Sequence, residues 1–335
     1  MWGQCARDTM TGDNADLDLL FDAAAPAPGA RALFVNAAAH RALGAWGARM
    51  DLIQPWKPFA DALAGMPAQL VAAPQGPYDA VFVRLQRQRE RHLADLARAL
   101  EALRPGGRFA VCGPNGMGGA RIADDLAAMG ATGAIVSKSK CRLVVGFLAA
   151  PLGLAQWTRL DAPRPILDGR AVSAPGLFAW DRVDPGSALL LDVVPPLAGP
   201  VADLGAGWGA LTTALRARQP DLAIDAYEAD ARALPCLERN APGVRAIWHD
   251  VSRGLPRGGY AAIVSNLPFH DPRGEDRGLA ERFARAAAAA LAPGGAFHAV
   301  ANRHLPYEKT LDAVFGRVER LDEREGYKAF RCSRS

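Results

Sequence analysis

Two short stretches hold residue types at spacings that could do chemistry: Asp203-Leu-Gly-Ala-Gly-Trp-Gly209 and Asn266-Leu-Pro-Phe269. The first continues a short apolar run, Val201 to Leu204, that reads as a buried strand. Gly205, Gly207 and Gly209, with Ala206 between them, let the chain turn tightly while backbone N–H groups and a helix N-terminus face a ligand, which suits a nucleotide-type cofactor. The loop alone does not choose the cofactor. Gly205, Gly207 and Ala210 also satisfy the Gly-x-Gly-x-x-Gly/Ala spacing of dinucleotide sites, and Glu228 follows at about the distance expected of a ribose-binding acid.

The second stretch decides between them. Residues 261–265 read as another buried strand, ending in Asn266, whose amide oxygen can accept a hydrogen bond from an exocyclic amino group. Pro268 stiffens the turn and Phe269 offers a flat face for stacking a base. An amino nitrogen conjugated to a ring is a poor nucleophile, and acceptors on its N–H bonds localise its lone pair. Asn266 and the carbonyl of Leu267 are the natural acceptors. An isolated Asn in a proline turn is ordinarily structural; its place one strand after a cofactor loop favours a methyl donor held beside a planar nitrogen.

On these residues the chain resembles the class I S-adenosylmethionine-dependent methyltransferases, and within them the small-subunit (16S) ribosomal RNA guanine-N2 methyltransferase family. The resemblance covers nearly the whole chain and is strongest from Gly176 onward. It is carried by Leu177-Phe-Ala-Trp-Asp-Arg-Val-Asp-Pro-Gly-Ser187, the glycine loop, Asn266-Leu-Pro-Phe-His-Asp271 and Val300-Ala-Asn-Arg-His-Leu-Pro-Tyr307. The family usually has Asn-Pro-Pro-Phe, so Leu267 departs from it, at a position that contributes a backbone carbonyl. Adenine-N6 dimethyltransferases of ribosomal RNA carry a similar Asn-Leu-Pro-aromatic element. Adenine-N6, a protein glutamine and a noncatalytic RNA-binding assembly role therefore stand as alternatives, and a nicotinamide-dependent dehydrogenase as a more distant one.

The resemblance implies S-adenosylmethionine as cofactor, no metal, and catalytic residues Asn266, Leu267, Pro268 and Phe269. Asp203, Gly205, Ala206, Gly207 and Gly209 are expected to hold the methionine portion of the donor, with Asp203 on its ammonium, and Asn266 is expected to contact the donor as well as the target base. Glu228 is expected on the ribose hydroxyls and Asp250 on the adenine amino group, although carboxylates at such positions also serve as caps and turn formers. His270 and Asp271 are candidates for removing the proton lost after transfer. Tyr307 and the stretch from Asn302 to Pro306 should border the cleft, with Lys328 in the closing hairpin.

At 335 residues the chain can bury two cores, and an internal repeat says how. Leu103-Arg-Pro-Gly-Gly-Arg-Phe-Ala-Val111 mirrors Leu291-Ala-Pro-Gly-Gly-Ala-Phe-His-Ala299 at an offset of 188. The expected fold is α/β: two tandem Rossmann-like class I methyltransferase domains, each a mostly parallel sheet with a C-terminal antiparallel hairpin. In the second, Ala231–Glu238 reads as a helix, Ala296–Ala301 as a strand, and Arg317–Leu321 and Lys328–Cys332 as the closing hairpin. The first is degenerate, because Asn36-Ala-Ala-Ala39 stands for the glycines and Arg84-Leu-Gln-Arg87 for the Asn-Leu-Pro-Phe element. The expected division is a degenerate domain over 1–150, a Pro-rich linker over 151–175 and a catalytic domain over 176–335. Trp157 is expected to anchor the linker.

The composition, 50% hydrophobic without an apolar run long enough to span a bilayer or a signal-peptide pattern, predicts a soluble cytoplasmic protein, expected to act as a monomer. Five scattered cysteines read as reduced thiols. A formal charge of +4 permits an RNA partner, either ribosomal RNA or the small ribosomal subunit, without demanding one. Two basic runs are candidate phosphate contacts that would make the first domain a substrate clamp or scaffold: Arg84, Arg87, Arg89 and Arg91 with His92, and Lys138, Lys140 and Arg142.

Overall fold

The computed structural model describes residues 15–23, 27–268, 278–304 and 307–334. Phe269, His270, Asp271, Leu305 and Pro306 lie outside the described residues. The chain divides into two units, Met1–Ala162 and Pro163–Ser335.

In the first unit, β1 (Ala32–Val35), β2 (Met50–Ile53), β3 (Gln69–Leu70), β4 (Tyr78–Arg84), β5 (Leu103–Pro114), β6 (Ala134–Lys138) and β7 (Cys141–Phe147) form one sheet in the order 3-2-1-4-5-7-6. The second unit begins with a separate hairpin, β8 (Arg164–Ile166) and β9 (Ala171–Ser173). Its main sheet contains β10 (Val201–Leu204), β11 (Ile224–Glu228), β12 (Arg245–Trp248), β13 (Tyr260–Asn266), β14 (Leu291–Asn302), β15 (Arg317–Arg324) and β16 (Tyr327–Ser333). The order 12-11-10-13-14-16-15 is the same topology. In each unit five strands pair in parallel and the last two join through antiparallel pairings, with β7 and β16 running against the rest of their sheets, as the sequence predicts.

Central strands are buried throughout: β1 and β10 have no exposed position, as required of parallel strands covered on both faces. In the second unit the helix Leu279–Ala290 places Phe283, Ala284 and Ala287 at helical spacing in the same core as Ile263 and Phe297.

The repeat is visible in the details of strand pairing. β4 pairs with β5 through Tyr78 and Leu103, and the register then jumps to Ala80 opposite Arg108; β13 and β14 make the same jump between Tyr260–Leu291 and Ala262–Ala296. The two Pro-Gly-Gly elements cause it. Gly106 and Gly294 adopt φ of 74° and 76°, and a Cβ on Gly107 or Gly295 would lie 2.8 Å from a backbone oxygen. At the start of each fourth strand a tyrosine donates to an aspartate of the second strand, Tyr78 to Asp51 and Tyr260 to Asp225, both at 2.6 Å.

The Pro-rich segment 151–175 divides between the units. Trp157, in the short helix Ala155–Thr158, packs on the first unit's core, and Asp161 receives Arg91 and Arg98. The β8–β9 hairpin packs with Trp208 and Cys236 of the second unit.

One expectation is corrected here. The run from Arg84 to His92 is not a free basic face: Arg84 pairs with buried Asp16, Arg89 with Asp125, Arg91 with Asp95 and Asp161, and His92 is buried. Carboxylates, most of them distant in sequence, neutralise all of it but Arg87, which is exposed.

Candidate active site

The glycine loop leaves β10 at Leu204 and crosses the carboxyl end of β11. Gly205 and Ala206 donate N–H bonds of 2.9 and 3.0 Å to the carbonyl of Tyr227, and Gly207 N–H reaches Glu228 Oε2 at 2.7 Å. Gly205, Gly207 and Gly209 have φ of 73°, 58° and 95°, in the left-handed region. At Gly209 a Cβ would also lie 2.6 Å from Leu237 Cδ1, so the loop cannot pack with alanine there unless its neighbours shift. From the other side, Asn240 holds the loop in place by donating to the carbonyls of Trp208 and Val172 and accepting from Val172 N–H, which ties β9 to the loop. Trp208 Nε1 donates to the carbonyl of Ala179.

Two carboxyl groups sit at these strand ends. Asp203 is fully buried; its Oδ2 accepts from Thr212 Oγ1 at 2.6 Å, while Oδ1 has no hydrogen-bond partner among the described residues. Burial pushes its carboxyl up to about 6, against the opposing hydrogen bonds from Thr212. Glu228 accepts from Gly207 N–H and from Asp230 N–H, yet burial pushes it up to about 7. A buried carboxylate with an idle oxygen calls for a donor. The pair fits a ligand bringing a cation to one and hydroxyl groups to the other. Asp250 accepts from Ser252 N–H at 2.9 Å and so caps the turn Val251–Arg253 through one oxygen.

Asn266 ends β13 opposite Val300 of β14. Its Nδ2 donates to Asp184 Oδ2 at 2.8 Å and to Ser187 Oγ at 3.0 Å. An ionised carboxylate only accepts, so Asp184 fixes the amide orientation and leaves the side-chain oxygen of Asn266 free of these contacts. Asp184 itself caps the helix Pro185–Val193, accepting from Gly186 and Ser187 N–H, and receives the Tyr327 hydroxyl at 3.2 Å. The side chain of Leu267 is buried in the core and its N–H bonds the carbonyl of Val300, so this departure from the family motif packs without disturbing the backbone. The Tyr307 hydroxyl donates to the carbonyl of Pro268 at 3.3 Å, placing Tyr307 beside the motif. Lys328 pairs with Glu308.

Asp184 and Ser187 carry no role in the sequence reading. The signal was present: Asp followed by Pro is a helix start with a side-chain cap. That the cap also holds Asn266 is a long-range fact.

Strand register shows what the first unit has in place of these residues. Phe34 stands at the position of Asp203, Asn36 (φ 58°) at Gly205, Gln54 at Glu228 and Arg84 at Asn266. Gln54 still accepts from the N–H two residues on, as Glu228 does, and Arg84 is held by Asp16. The scaffold is kept and the charged and glycine groups are gone.

The methyltransferase small domain family matches residues 168–331, which contain the loop, both carboxylates and Asn266. A "Ribosomal RNA small subunit methyltransferase C" of Pseudomonas paraeruginosa is 36% identical over 276 residues, 78% of this chain and 81% of that protein. The chain belongs to the ribosomal RNA small subunit methyltransferase C family. A Shewanella halifaxensis member is also 36% identical, over 189 residues that span 55% of its length and 54% of this chain. The solved T. thermophilus 16S rRNA N2-guanine methyltransferase, in complex with AdoMet and guanosine, shares the fold with a TM-score of 0.76 and 28% identity, covering 96% of this chain and 92% of that one. Among the described residues no group of three or more His, Cys, Asp or Glu is placed to hold a metal, and no helix is long and apolar enough to cross a membrane.

Proposed function

We propose that this member of the family transfers a methyl group from S-adenosylmethionine to the exocyclic N2 of a guanine in 16S ribosomal RNA, with residues 163–335 as the catalytic part and the first unit as a degenerate copy without a donor site. The observation that carries the reading is Asn266, whose amide is oriented by Asp184 and Ser187 at the carboxyl end of β13.

S-adenosylmethionine supplies an already activated, cationic methyl, so the reaction calls for positioning above all and for no metal. Asp203 accepts the donor's ammonium on its idle Oδ1, Glu228 takes the ribose hydroxyls, and Gly205, Ala206, Gly207 and Gly209 keep the backbone clear for close approach. Asp250 binds the adenine amino group through the oxygen not engaged as a cap. Asn266 and the carbonyl of Leu267 accept the N–H bonds of the target amino group and localise its lone pair. Pro268 sets the turn, and Phe269 stacks on the base. The partner is ribosomal RNA, free or in the small subunit, and the enzyme works as a cytoplasmic monomer.

Asn266→Ala tests this. Turnover should fall at least about a hundredfold, in the range that removal of a single charge-stabilising group costs at active sites, while the Kd for S-adenosylmethionine changes by less than about threefold because the glycine loop, Asp203 and Glu228 carry most of the donor's contacts. Full turnover in this variant would sink the mechanism.

A further inference from the structure

The antiparallel hairpins that close the two sheets have the same topology and different charge balance. In the second unit, residues 317–333 carry five cations and four carboxylates, and four of the cations are matched: Arg317 to Glu319, Arg320 to Glu323, Arg324 to Asp192 and Lys328 to Glu308. In the first unit, residues 134–147 carry Lys138, Lys140 and Arg142 and no carboxylate. None of these three, nor Arg108 on the neighbouring strand, has an ion pair among the described residues; Arg142 reaches only the carbonyl of Ala120. In a chain whose arginines are mostly paired, this cluster stands out.

The edge strand of this hairpin is uncovered. Every residue of β6 is exposed, including Ile135 and Val136, and Phe147 at the end of β7 is 64% exposed. Register places Arg108, Phe147, Val136 and Lys138 on one face, because Arg108 pairs with Phe147, Val136 with Leu143 and Lys138 with Cys141 along alternating positions of β7. The Arg108 guanidinium lies 5.6 Å from the Phe147 ring centroid. The equivalent pair in the second unit is Ala296 and Ser333, so the aromatic and its cation belong to the degenerate copy alone. Lys140 extends the charge into the turn, at φ 58° beside Ser139 at φ 51°.

We infer that the β6–β7 hairpin of the first unit is an RNA-docking surface, in which Lys138, Lys140 and Arg108 meet backbone phosphates and Phe147 stacks on an unpaired base, while Arg142 lies on the opposite face of β7. The inference rests on the RNA-directed reading above. Unpaired cations alternating with one exposed aromatic match the chemistry of single-stranded RNA, where phosphate contacts give salt-dependent affinity and a ring gives base stacking. A purely apolar protein surface docked here would leave the three cations without partners.

The test is binding of the full chain to a 16S rRNA transcript over a series of KCl concentrations. Lys138→Ala/Lys140→Ala should reduce the slope of log K against log [salt] by about 1.4–1.8, from about 0.7–0.9 for each phosphate that a lysine no longer neutralises. Phe147→Ala should weaken binding at fixed salt about fivefold or more, with the slope unchanged. Arg324→Ala, on the neutralised hairpin, should leave both quantities as in the parent. All three sites are on the surface, and unchanged S-adenosylmethionine binding verifies the fold of the variants. Parent binding with a slope that the double variant does not alter would overturn the inference and leave the edge strand to a protein partner. A parent that does not bind the transcript at all would remove the RNA reading itself, and the inference with it.

Discussion

Asp203→Asn separates what the buried carboxylate does for binding from what it costs the fold. Burial holds the Asp203 carboxyl at about 6, above its ordinary 3.8, so the folded chain keeps this proton more tightly than the unfolded chain. The destabilisation is therefore absent below pH 3.8, grows as pH rises, and is complete above about pH 6. A rise of about two pKa units corresponds to about 3 kcal/mol. Asparagine retains an acceptor for Thr212 and has no charge to bury, so the variant should be more stable than the parent at pH 8 by about 1–3 kcal/mol and should lose the corresponding pH dependence. Binding should move the other way, because hydrogen bonds to charged groups are worth about 1.5–3 kcal/mol and the donor's ammonium loses its anionic partner; the Kd for S-adenosylmethionine should rise at least about tenfold. Urea midpoints for the second unit's transition at pH 5 and pH 8, with calorimetric titration of the donor, measure both. A variant that is less stable at pH 8 yet binds the donor with parental affinity would refute the reasoning and make Asp203 a structural anchor.

Three further outcomes follow from the same geometry. With Glu228 at about 7 in the ligand-free protein, donor affinity should fall as pH drops through 7, by up to about tenfold per pH unit; Glu228→Gln should bind weakly at every pH from about 5.5 to 8.5, and a parent without this pH dependence would contradict the ribose assignment. Asp184→Ala removes a helix cap and releases the Asn266 amide, so kcat should drop at least about tenfold with donor Kd unchanged and stability lower by about 1 kcal/mol, whereas a lowered stability with unaltered kcat would leave Asp184 as a cap only. Gly209→Ala must strain φ 95° and push against Leu237, and should cost about 1–3 kcal/mol of stability, read as a lowered Tm; an unchanged Tm would show that the loop relaxes freely.

The parts of the fold legible in the sequence are those set by local pattern. The strand over Val201–Leu204 coincides with its apolar run, and the closing hairpin falls where Arg317–Leu321 and Lys328–Cys332 pointed, extended to Arg317–Arg324 and Tyr327–Ser333. Boundaries moved where a single residue dominates. The helix expected from Ala231 begins at Leu234, because Pro235 favours the first helical turn. The strand expected from Ala296 reaches back to Leu291, because Pro293-Gly294-Gly295 is a bulge inside the strand and not a turn before it. The candidate site was proposed from its glycines, carboxylates and Asn266, and the structure brings these residues to neighbouring strand ends. What escaped was carried by side-chain pairs 36 to 82 residues apart in sequence: Asp184 and Ser187 against Asn266, and Asp16, Asp125 and Asp161 against Arg84, Arg89 and Arg91. No local window contains both members of such pairs.

The most direct measurement is nucleoside analysis of ribosomal RNA, free and in small subunits, after incubation with the protein and methyl-labelled S-adenosylmethionine, run beside Asn266→Ala. Label recovered as N2-methylguanosine with the parent and absent with the variant is the expected result. Label in N6-methyladenosine or in protein, or label undiminished by Asn266→Ala, would contradict the account.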